Sequence, residues 1–75
     1  MDLRPENLMI LERDYLSRDD LKKLVVGQKV GFRLPGDKLE SAVGQCSAMR
    51  FKGMKFSKKV FRDGDKGIVA VERIL

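Results

Sequence analysis

Two hydrophobic periods alternate along this chain. Between positions 39 and 49 the apolar residues Leu39, Ala42, Val43, Cys46 and Met49 recur at three- and four-residue steps, the spacing that gathers side chains on one side of a helix. Lys38, Ser41, Gln45 and Arg50 fall mostly off that stripe. On either side of this segment the period drops to two. In "QKVGFRL" (28–34) Val30, Phe32 and Leu34 share a face and Lys29 and Arg33 take the other, as in a half-buried strand. Near the end, "MKFSKKVF" (54–61) and "IVAVERIL" (68–75) flank a turn rich in Gly and Asp, the pattern of a β-hairpin. Within the first of these runs Met54, Phe56 and Val60 point inwards, while Lys55, Lys59 and Phe61 point to the opposite face.

Local signals set the ends of the elements. Ser17 followed by Asp20, with Leu16 and Leu21 placed for a hydrophobic staple, predicts a short helix over 18–24; Gly27 can stop it. "LPGD" predicts a type II turn with Gly36 at positive φ. Asp37 is then the N-cap of the main helix, and Glu40 completes its capping box. Gly44, inside that helix, costs about 1 kcal/mol relative to Ala, which implies close packing there or a weakly formed helix. Gly53 ends the helix. "LMILERDYL" (8–16) fits neither period and is read as a strand, so that 1–16 forms an N-terminal strand or arm. The expected order is β-α-β-α-β-β in one small domain spanning 1–75. It belongs to the α+β class, with an antiparallel or mixed sheet packed against one main helix and a C-terminal β-hairpin.

Composition limits the chemistry. A chain of 75 residues buries only about 60–65% of the surface its unfolded form exposes, which leaves room for one modest core. There is no His and only one Cys, Cys46, so neither an intramolecular disulfide, a zinc cluster nor a His-based catalytic site can be assembled. Cys46 sits on the apolar stripe and reads as a packed core thiol. No glycine is followed by the Gly-Lys-Ser/Thr of a phosphate cradle. "DGDKG" resembles the start of a calcium loop, but counting from Asp63 puts Gly67 at position five and Ile74 at position twelve, where ligands are required. These absences predict a protein that is not an enzyme and uses no cofactor or metal. The apolar runs "LMIL" and "IVAV" fall far short of the roughly 20 residues needed to cross a bilayer. The acidic start "MDLRPEN" is no signal peptide, and a cytoplasmic protein is expected.

Charge then changes the picture, because it is uneven. Residues 1–20 carry three Arg against six Asp and Glu, a net of −3, whereas residues 50–66 carry a net of +5. Arg50, Lys52, Lys55, Lys59, Arg62 and Lys66, together with the Phe61 ring, form a candidate nucleic-acid-binding surface: cations neutralise phosphates and an aromatic stacks on a base. Lys58 falls on the inner face and must snorkel at a sheet edge.

Across 25–74, "VVGQKVGFRLP", "MRFKGMKFSKK" and "DGDKGIVAVERI" resemble small bacteriophage-encoded domains of obscure function with the pattern V-G-x-S-F-F-V-P, a basic helix, G-x-K-F-x-x-R and D-G-x-R-V-W-R-I. Gly27, Phe32, Pro35, Gly53, Lys55, Phe56, Arg73 and Ile74 fall in corresponding places. Ala70 and Glu72 depart from it, standing where the pattern carries a basic residue and an aromatic. The resemblance implies a β-α-β-β core and a phage origin. The expected function is that of a non-enzymatic phage-type accessory protein, a regulator that binds DNA or RNA through the basic helix end and hairpin. The alternative is an inhibitor or adaptor that occupies an acidic host protein, such as a polymerase, nuclease or defence complex, in the host cytoplasm. The small core and the free sheet edges are also compatible with a homodimer.

Overall fold

A computed structural model of the chain describes residues 3–75; Met1 and Asp2, part of the expected arm, lie outside that range. A 3-10 turn at Pro5–Asn7 leads into β1 (Ile10–Glu12), α1 (Arg18–Lys22), β2 (Lys29–Pro35), α2 (Leu39–Ala48), β3 (Phe56–Asp63) and β4 (Lys66–Arg73). The fold is α+β, with one main helix and a mixed four-stranded sheet in the order β1-β2-β4-β3. β1 runs parallel to β2, while β4 is antiparallel to both β2 and β3. β2 and β3 therefore point the same way, α2 crosses between them, and β4 fills the gap they leave.

Strand register decides what faces the helix. Val30, Phe32 and Leu34 pair with Val71, Val69 and Gly67, while Phe56, Lys58 and Val60 pair with Arg73, Val71 and Val69. Directly paired residues share a sheet face, so these side chains meet Leu39, Ala42, Cys46 and Met49 of α2 and its extension, and Leu21 and Leu24 of the α1 region, in one core. The apolar stripe read from the sequence is thus the buried side of α2, with Val43 at its half-buried margin. On the opposite face Ile10, Gly31 and Ile68 come together beneath Leu8: a Cβ on Gly31 would lie 2.6 Å from Ile10 Cδ1 and 3.2 Å from Ile68 Cγ2.

Several local expectations give way to tertiary contacts. The run 8–16 supplies only a three-residue strand, since just Ile10–Glu12 find partners on β2. α1 is shorter than expected and ends near Lys22 and Lys23, but its Ser17–Asp20 capping box forms in both directions. Gly27 does not stop it; at φ +90° it turns the chain into β2, donating its N–H to the Arg73 carbonyl. The type II turn at Gly36 is absent, because Gly36 does not adopt positive φ. Its N–H instead donates to the Asp65 carbonyl at 2.8 Å, and this tie to the hairpin turn sends Gly36–Lys38 straight into a 3-10 turn. α2 then starts at Leu39 with no side-chain cap, so Asp37 and Glu40 form no capping box. Among the described residues nothing packs against Gly44, which lies on the exposed side of the helix. Gly53 ends the helical segment as expected, at φ +77°. The hairpin strands keep the expected eight residues each but are shifted two residues towards the turn, with β3 at Phe56–Asp63 and β4 at Lys66–Arg73. The turn shrinks to Gly64 and Asp65, with positive φ at Gly64 alone, as a II′ turn requires.

Candidate nucleic-acid interface

The strand order brings three chain segments to one end of the sheet, where β2 and β3 begin and β4 finishes. They are the α1–β2 loop (25–28), the segment from the end of α2 to the start of β3 (49–55), and residues 73–75. Backbone hydrogen bonds tie them together: Gly27 to Arg73 at 2.7 Å, Ile74 to Lys55 at 2.7 Å and Met54 to Met49 at 3.2 Å. None of the three contains an Asp or Glu, whereas they carry Arg50, Lys52, Lys55 and Arg73, with Lys22, Lys23 and Lys29 alongside. Arg73 is committed to structure, its guanidinium donating to the Leu24 and Leu75 carbonyls. Arg50, Lys52 and Lys55 are exposed and make no ion pair among the described residues.

Between Arg50 and Lys52 at this cationic end stands an aromatic that the sequence pattern alone does not single out. Phe51 is 91% exposed, on a 3-10 turn (Met49–Lys52) that prolongs α2. The cause is geometric. Met49 is the last residue of the buried stripe, and a position two further on is rotated by roughly 200° or more about the axis, away from the sheet. The signal was present in the sequence as an aromatic lying off the apolar stripe between two cations. Val25 and Val26, also exposed, belong to the loop at the same end.

The other expected site residues are spread out. Lys55, Lys59 and Phe61 do project from the face opposite the core, and Lys59 Nζ lies 5.6 Å from the Phe61 ring centroid, over its own neighbour's face. Lys58 sits on the helix side of the edge strand, partly exposed, as expected. Arg62 and Lys66 lie at the far end, roughly 24 Å along β3 from Lys55 at the usual strand rise. There they share clefts with Glu40 or with Asp63, Asp65, Glu12 and Asp14. The seven expected residues therefore split: Arg50, Lys52 and Lys55 stand in loops that hold no Asp or Glu, Lys59 and Phe61 lie along the strand, and Arg62 and Lys66 are interleaved with carboxylates.

Two further residues acquire definite places. Ala70 is fully buried and Glu72 only 7% exposed, both on the sheet face away from α2, so neither contributes to an outer surface. Glu72 Oε1 has no hydrogen-bond partner among the described residues. Cys46 is buried, and burial pushes its thiol up to about 11 against the opposing charge of Lys58; such a thiol is a poor nucleophile at neutral pH. Among the described residues no group of three or more His, Cys, Asp or Glu is placed to hold a metal, and no helix is long and apolar enough to cross a membrane. Comparison with protein-family models, curated proteins and solved structures returns no match.

Proposed function

We propose that this protein binds single-stranded nucleic acid at the end of the sheet built by residues 49–55, with Phe51 stacking on an unpaired base and Arg50, Lys52 and Lys55 contacting the flanking phosphates. The observation that carries the reading is the exposure of Phe51 inside a cationic field with no Asp or Glu in its loops. Burying a phenylalanine is worth about 1.5–3 kcal/mol, and here that gain is left for a partner to supply. A flat ring between cations suits a base with its phosphates, and an unpaired base is the one whose face is free. Lys59 and Phe61 extend the path along β3, while the Asp-rich surroundings of Arg62 and Lys66 make those two poor phosphate ligands. With its small core and its resemblance to phage-encoded domains, the protein would act as a non-enzymatic accessory or regulatory factor.

Fluorescence anisotropy with short single-stranded DNA and RNA oligonucleotides tests this. Affinity should fall steeply with salt, and Phe51→Ala should weaken it by about 1–3 kcal/mol, the range for loss of one base–aromatic stack. Binding that is absent at low salt, or indifferent to Phe51→Ala, would rule the reading out.

A further inference from the structure

Among the described residues β3 is an edge strand: β4 lies on one side of it and no strand on the other. Lys55, at its entry, turns both its N–H and its carbonyl towards the end of β4. Because the ladder alternates, Ser57, Lys59, Phe61 and Asp63 also face β4, and the N–H and carbonyl groups of Phe56, Lys58, Val60 and Arg62 point outwards. Among the described residues, the backbone hydrogen bonds between elements include none from these four. A row of unpaired groups on an eight-residue strand is a template for another strand. Beside it, between α2 and β3, lies an open cleft of about 310 Å³ lined by Leu39, Glu40, Val43, Val60 and Arg62, with half-buried Val43 and Val60 as its apolar floor. Side chains of an added strand that point towards α2 would enter this cleft.

Charge selects the occupant. Lys58 and Lys59 supply the positive charge at the middle of the strand, while Arg62 is offset by Glu40 across the cleft and by Asp63 at the strand's end. Two copies of this edge placed side by side would bring lysines against lysines, which disfavours self-pairing. An acidic strand meets the opposite situation, with cations on both of its faces. We propose that the edge of β3 takes up an extended acidic segment of a partner protein by backbone pairing, with an apolar side chain of that segment seated between Val43 and Val60. The backbone edge and the Val43–Val60 cleft are separate from Phe51, and Lys59 is the one cation that both this surface and the proposed nucleic-acid path use.

The test uses an acetylated, amidated peptide alternating glutamate and valine, titrated into the isotope-labelled protein. The amides of Phe56, Lys58, Val60 and Arg62 should shift and gain protection from exchange, while those of Ser57, Lys59 and Phe61, already paired with β4, change least. N-methylating the peptide at alternate amides, or replacing its glutamates by lysine, should weaken binding at least about tenfold, or ~1.4 kcal/mol; neither change touches the protein. Phe51→Ala should leave peptide affinity unchanged, which separates this proposal from the nucleic-acid one. Equal binding of the N-methylated peptide, absence of binding, or loss with Phe51→Ala would overturn it. So would edge amides protected without peptide in a sedimenting dimer, since the occupant would then be a second copy.

Discussion

Gly67 of β4 lies directly against Leu39, the first residue of α2: a Cβ built on Gly67 would come within 2.5 Å of Leu39 Cδ1 and 2.9 Å of the Phe61 carbonyl oxygen. The absence of a side chain there lets the start of the main helix settle onto the sheet. On strand propensity alone alanine should be better than glycine, but overpacking predicts the reverse. Gly67→Ala should destabilise by about 1–3 kcal/mol, read as a lower urea midpoint with unchanged slope.

Gly44 makes the opposite case within the same helix. Among the described residues nothing lies within 4 Å of a Cβ built there, and its φ is not positive. Gly44→Ala should therefore stabilise by about 0.5–1 kcal/mol through the lower helix cost of alanine. Thermal unfolding of the two variants side by side should move the midpoint in opposite directions.

Cys46 gives the stability a pH dependence at the alkaline end. Its thiol has an ordinary value of 9.0 and is raised by burial to about 11 in the folded protein. Between those pH values the unfolded chain loses a proton that the folded one keeps, so this contribution is intact below about pH 9 and fades as pH rises towards 11. Relative to Cys46→Ala, which lacks the titration, the protein should lose about 2–3 kcal/mol of its stability across that window. Urea unfolding of both proteins at several alkaline pH values measures it. Alkylation of the thiol should be slow until the chain unfolds.

The two ends of the basic segment should behave differently towards nucleic acid. Charge reversal at the Phe51 end, Arg50→Glu with Lys52→Glu, should lower the dependence of affinity on salt by about two units of slope. The same change at Arg62 and Lys66, which already lie among carboxylates, should alter the slope little. Parallel salt titrations of the two double variants measure this difference directly.

The sequence by itself determined what depends on neighbours in the chain. The buried stripe of α2, the Ser17–Asp20 capping box, the Gly53 stop and the alternation that puts Lys55 and Lys59 opposite Phe56 all rest on spacings of a few residues, which fixed helical and strand periods convert into faces. Local reading failed at Gly36, where a hydrogen bond to Asp65, far along the chain, overrode the expected turn and cap. Only the tertiary structure decided which cations stand together, because that depends on strand order. Inserting β4 between β2 and β3 brought 25–28, 49–55 and 73–75 to one end and sent Arg62 and Lys66 to the other. It also left β3, and not β4, with an open edge. Pairings of this kind join residues distant in sequence, and their energies lie in packing and hydrogen bonds that no short window of the chain contains.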